Sequence, residues 1–152
     1  MIKITKEMPK KLVGYLTPGA PGLLLTAGAD DYPSSQYTWV VGLDDKRLRL
    51  GADQGSTAQA NLTRSGQAGL VVMGPDNVTY LVKGKVRQLK ERIDAAAPAA
   101  IALYELEVSG VKDQSWPGVT IPPLHYEWTA DHREELLRME QAVFDEMREH
   151  AG

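Results

Sequence analysis

Residues 47–62 read RLRLGADQGSTAQANL. Leu48 and Leu50 alternate with Arg47 and Arg49, the period of two of a strand with one buried face. Gly51 interrupts the alternation. A polar turn follows through Asp53, Gln54, Gly55, Ser56 and Thr57, and from about Ser56 the composition favours helix, with Ala58, Gln59, Ala60 and Leu62. A strand running through a Gly-Ser turn into a helix start can bind an anion, because the first helical amides lack internal partners and the dipole adds positive potential. Ser56 either caps the helix or offers its hydroxyl to such an anion. The stretch alone leaves both roles open.

On the N-terminal side, Ile4–Leu16 has helical spacing at Leu12 and Leu16 with Met8 extending the face, and Pro18, Gly19, Pro21 and Gly22 end it. Leu23–Thr26 is a short buried strand. Gly28–Pro33 is turn chemistry, Ser34–Leu43 is rich in β-formers (Tyr37, Thr38, Trp39, Val40, Val41), and Asp44–Lys46 reverses the chain into Arg47. These three strands form an antiparallel meander.

On the C-terminal side, Ser65-Gly66 stops the helix and Ala68–Met73 is a buried strand. Gly74–Asn77 turns the chain into the long alternating run Val78–Leu89. Val78, Tyr80, Val82, Gly84 and Val86 share one face of that run. Gly84 in mid-strand signals a bulge or a close approach by another chain or ligand. Lys90–Ala100 is a helical or irregular link, and Ile101–Val111 is a further strand with Tyr104, Leu106 and Val108 facing the core. Gln114–Pro123 is a Pro/Gly loop carrying Trp116, and Leu124–Trp128 is a short aromatic segment. The chain ends in a helix over residues 129–150, capped by Thr129 or Asp131, with Glu134 completing a capping box. Leu136, Met139, Val143 and Met147 form an apolar stripe that Leu137 and Phe144 widen, a face for packing on the sheet or on a second subunit. The expectation is a single domain over residues 1–152: mainly β, a six-stranded antiparallel barrel with flanking helices.

Composition narrows the function. The 152 residues carry 43% hydrophobic and 24% charged side chains and a net charge of −3, so no broad positive field favours nucleic acid or an anionic membrane. There is no cysteine, which removes disulfides, thiolate nucleophiles and thiolate metal sites. Neither a signal-peptide core nor a spanning apolar run occurs, and a soluble cytoplasmic protein is expected. His125, His132 and His150 lack metal-ligand spacing, and no G-x-S-x-G surrounds Ser56, so no metal site and no catalytic residue is assigned. His125 with Tyr126 and Trp128 either lines a groove or lies on the surface. Trp39 either stacks on a flat ligand or fills a core or interface.

The order of these elements resembles the FMN-binding split β-barrel family related to pyridoxamine 5′-phosphate oxidase. The matching pieces are Leu23–Ala27 with Pro33 beyond the turn, Gln36–Val41, Gly55-Ser56 followed by Asn61-Leu62, Val82–Val86 around Gly84, and Leu103–Val111. The resemblance implies a homodimer, a flavin (FMN) in a groove between subunits, and an oxidoreductase whose ring carries the electrons to a small-molecule substrate or from an electron donor. Deazaflavin or haem, a non-enzymatic carrier, and a barrel without a cofactor are alternatives. The implied cofactor site comprises Gln36, Tyr37, Thr38, Trp39, Ala52, Asp53, Ser56, Thr57, Gln59 and Thr79. The basic phosphate ligands common in the family are absent: Gln36 and Thr57 stand where arginine is frequent, Val41 and Ala58 where lysine is frequent. Lys83, Lys85 and Arg87 from a partner chain, or Arg47 and Arg49, are the candidate replacements.

Overall fold

Two thirteen-residue strands close the sheet on itself. In the computed structural model, which describes residues 3–152, the elements are β1 (Lys3–Thr5), α1 (Lys10–Leu16), β2 (Ala20–Ala27), β3 (Pro33–Gly42), β4 (Arg47–Asp53), α2 (Thr57–Ser65), β5 (Gln67–Gly74), β6 (Val78–Lys90), β7 (Ile101–Asp113) and α3 (Arg133–Glu149), with a 3-10 turn at Asp94–Ala96. The strands run β7–β4–β3–β2–β5–β6, all antiparallel, and β6 pairs back onto β7 to complete a six-stranded barrel. Alternation in β6 survives as expected: Val78, Tyr80, Val82 and Gly84 are buried while Lys83 and Lys85 are exposed. The register slips between Lys83 and Gly84. A Cβ on Gly84 would lie 2.0 Å from the Glu107 carbonyl oxygen, so the close approach foreseen there is made by the neighbouring strand.

Alternate residues of every strand fill the barrel, including Leu24, Val40, Leu50, Leu70, Val82 and Leu106, and α1 plugs one end with Leu12 and Leu16. A second apolar cluster lies outside the barrel. There α3 lays Val143, Phe144 and Met147 on Val41 and Leu103 of the outer sheet face and on Ile93 of the β6–β7 link. The C-terminal stripe therefore packs on the sheet of its own chain. No helix among the described residues is long and apolar enough to cross a membrane.

Two helices begin later than the sequence suggests. Residues Lys3–Thr5 pair with the end of β7, and Pro9, held extended at φ −69° and ψ 158°, delays α1 to Lys10. At the other end, α3 starts at Arg133 with His132 as an N-cap that makes no side-chain bond, so neither Thr129 nor Asp131 caps it and the capping box does not form. The chain before it is tied to the barrel by hydrogen bonds instead. The Gln114 amide donates to the Thr79 carbonyl, the Leu124 amide to the Met73 carbonyl (both 2.8 Å), and the Asn77 side chain holds Val119 and Ile121. The segment 114–128 thus forms a strap, and the aromatic residues near its end are irregular rather than a strand.

Candidate functional site

The ladder between β3 and β4 pairs Val40 with Leu50, Val41 with Arg49 and Gly42 with Leu48. Toward the start of β3 the two strands part. The Thr38 hydroxyl bridges that parting, donating to the Gly51 carbonyl (2.5 Å) and accepting from the Gly51 amide (3.2 Å). A Cβ on Gly51 would sit 2.8 Å from the Ile101 Cγ2 methyl, so a larger residue here would have to displace that side chain from the groove. The result is a groove of about 240 Å³ on the outer face, built from Gln36, Tyr37, Thr38 and Trp39 of β3, Gly51 and Asp53 of β4, and Ile101, with Tyr126 and Trp128 of the strap as the opposite wall.

Five of the ten residues expected at a cofactor site meet in this groove: Gln36, Tyr37, Thr38, Trp39 and Asp53. The others do not line it. Ala52 points into the barrel core and is fully buried. Thr79 is buried on β6 with its hydroxyl unpartnered among the described residues. Ser56, Thr57 and Gln59 form the turn into α2. Ser56 is the N-cap: its Oγ accepts from the Gln59 amide (3.1 Å) and donates to the Asp53 carbonyl (2.6 Å). The Gln59 side chain in turn accepts from the Gly55 amide at 2.8 Å. The Ser56 hydroxyl and the Gly55 and Gln59 amides are thus partnered within the turn, with Gly55 at φ +75° and the helix closed by Gly66 at φ +66°.

The strap wall is fixed by one carboxylate. Glu140 Oε2 on α3 accepts from Trp39 Nε1 and Trp128 Nε1, each at 3.2 Å, and from the Tyr126 hydroxyl. Trp39 Nε1 also donates to the Tyr126 oxygen at 2.7 Å. Burial, reinforced by the adjacent Glu140, pushes the Tyr126 phenol well above its ordinary range, so it stays a donor. Trp39 meets Phe144 edge-on at 6.3 Å and Tyr126 meets Trp128 edge-on at 5.9 Å. Trp39 thus fills a core position, packing under α3, while it also lines the groove. His125 is exposed and does not line the groove. Glu140 was not anticipated. Its position, four residues after Leu136 and three before Val143, placed an acid within the helix's apolar stripe.

The cations considered for a phosphate are mostly engaged. Arg49 is 3% exposed, paired with Glu105 at 3.2 Å, and donates to the carbonyls of Met147 (2.9 Å) and His150 (2.6 Å), so it holds the end of α3. Arg47 pairs with Asp44 and Glu105, and Arg87 with Glu105. Val41, where the family resemblance implies a lysine, is fully buried beneath α3. Lys83 and Lys85 are exposed, form no ion pair among the described residues, and line a separate outer groove of about 740 Å³ with Leu25, Gly69, Leu81 and Ser109.

The family model described as pyridoxamine 5′-phosphate oxidase matches residues 8–118, nearly three quarters of the sequence. The chain belongs to the pyridoxamine 5′-phosphate oxidase family. Its barrel is similar to that of an F420 reductase (19% identity, TM-score 0.59, covering 70% of this chain and all of the other). It is also similar to a candidate pyridoxamine 5′-phosphate oxidase of Lactobacillus delbrueckii (19%, 0.56, 70% and 94%) and to HupZ of Group A Streptococcus (14%, 0.51, 67% and 87%). At these identities the likeness establishes the fold. No curated protein matches the sequence. Most of the strap and all of α3 lie beyond the segment matched to the family.

Proposed function

We propose that this protein is a dimeric binder of a flat, flavin-class ring, either flavin or deazaflavin, working as an oxidoreductase. The observation that carries the reading is the convergence of Gln36, Tyr37, Thr38, Trp39 and Asp53 on one aromatic-walled groove. Ligand sites of this kind combine apolar walls with a few polar groups that fix orientation. Tyr37 and Trp39 offer ring faces, Gln36 offers an amide able to donate and accept, and Asp53 offers an acceptor.

The residues fit the ring of FMN and not its phosphate. Among the described residues no lysine or arginine lines the groove, Arg49 is spent on Glu105 and α3, and the Val41 position is sealed by apolar packing. Once bound, the ring supplies the electron transfer. The chain binds and orients it, with water kept from one face by Trp39, Tyr126 and Trp128. The outer face of β2, β5 and β6, where Leu23, Leu25, Val71, Met73 and Leu81 are half-exposed, is the seam for the second copy. An exposed apolar surface of this kind marks an interaction site.

Reconstitution tests the reading. Purified protein mixed with riboflavin, FMN or a deazaflavin and then desalted should retain flavin-type absorption at up to one ring per chain, and Trp39→Leu should lose it. A desalted protein with no visible band, or one showing only a haem-type Soret band, sinks the proposal.

A further inference from the structure

The strap and α3 give this groove a wall that the family-matched segment does not supply. Three donors from two segments, Trp39 on β3 and Tyr126 and Trp128 on the strap, meet a single oxygen of Glu140. Among the described residues Glu140 has no cationic partner, so its charge is met by these neutral donors alone. Charge-assisted bonds of this type are the stronger class, and they draw the polar edges of the rings away from the groove. What the groove keeps is apolar ring surface. Its volume of about 240 Å³ lies below the roughly 300–1,000 Å³ of pockets that bury a drug-sized ligand. The only charged side chain among the lining residues is Asp53, which is exposed and negative.

We propose that Tyr126, Trp128 and Glu140 form a specificity wall that makes the site select a flat ring without an anionic tail. Glu140 is the positioning residue: it touches no ligand and holds both strap aromatics against Trp39. The proposal rests on the ring-binding reading and deepens it by naming the ligand class. Among the described residues no lysine or arginine lines the groove to meet a phosphate, and the one charged side chain that does line it, Asp53, would repel it. At contact distance in water, like charges repel by about fivefold in affinity at low salt.

The test uses the full chain in a Trp116→Phe background, because Trp116 is 71% exposed and would dominate the fluorescence. Riboflavin and FMN are titrated at low ionic strength, and acrylamide quenching is measured without ligand. Riboflavin should bind about fivefold or more tightly than FMN. Glu140→Leu should weaken riboflavin at least tenfold and raise acrylamide quenching about twofold while the far-UV spectrum keeps its β signature. Glu140→Gln retains an acceptor oxygen and should stay within about threefold of the parent in both readouts. FMN binding as tightly as riboflavin or more tightly overturns the ligand class. Unchanged quenching and affinity in Glu140→Leu overturn the wall. If neither flavin binds, the proposed function and the ligand class fall together, and the acrylamide result alone decides whether Glu140 holds the strap.

Discussion

Replacing Arg49 by methionine tests whether the arginine holds the fold or serves a ligand. Arg49 sits at 3% exposure with Glu105 at 3.2 Å, and its Nη1 donates to the carbonyls of Met147 and His150 at the end of α3. A cation is well placed there, since the C-terminal carbonyls of a helix carry its negative pole. The substitution leaves Glu105 with Arg87 at 3.2 Å and Arg47 at 3.8 Å, and leaves two helix carbonyls without their donor. Breaking a buried pair costs about 3–5 kcal/mol, and the remaining arginines place this case near about 3 kcal/mol. For a chain of this length 1 kcal/mol corresponds to roughly 2–4 °C, so Tm should fall by about 6–12 °C. The double variant Arg49→Met/Glu105→Met removes the stranded charge and should recover more than half of that loss. Thermal and urea unfolding of the four proteins in the cycle give the numbers. A Tm change below about 2 °C, together with lost flavin affinity, would falsify the structural role and return Arg49 to the ligand site.

Gly84→Ala forces a Cβ against the Glu107 carbonyl, a backbone atom that cannot rotate away, and should cost about 3 kcal/mol in urea unfolding. Ser56→Ala removes an N-cap and should cost about 1 kcal/mol, with riboflavin affinity changed less than about twofold because the hydroxyl is spent within its own turn. Glu146 accepts from the amides of Asp94 and Ala95 and from Lys90. Burial pushes its carboxyl up, but those donors outweigh burial and hold it below the ordinary glutamate range. A depressed folded pKa means the stabilisation is present above the ordinary value of about 4.3 and is lost as pH falls through the folded value. Glu146→Gln should therefore lower Tm at pH 7, with the gap to wild type closing at pH 3. A gap that persists at pH 3 refutes the linkage.

Much of the barrel was legible because its signals are local. Alternation marks β4 and β6, Gly66 and the Asp76-Asn77 pair supply the left-handed turns that end α2 and join β5 to β6, and of the two roles the sequence leaves open for Ser56 the structure shows the cap. The groove was half legible for the same reason, since Gln36–Trp39 and Asp53 sit on strands whose order the pattern gives. The other half depends on contacts between distant segments. Nothing in the periodicity of Leu124–Trp128 shows that its backbone bonds to Met73, or that Tyr126 and Trp128 share an oxygen of Glu140 with Trp39. The role of Arg49 is hidden by the same limit. On an alternating strand it reads as solvent-facing, and only the docking of α3 buries it.

The central claim is that the Trp39 groove holds a flat flavin-class ring, and riboflavin titration followed by intrinsic tryptophan fluorescence in the Trp116→Phe protein addresses it most directly. The account predicts saturable quenching that approaches one ring per chain, and a shift of the flavin's own absorbance on binding that disappears when Trp39 and Trp128 are both replaced by leucine in a protein that still unfolds cooperatively. Quenching that rises linearly without saturation, or a flavin absorbance shift that survives the loss of both indoles, contradicts it.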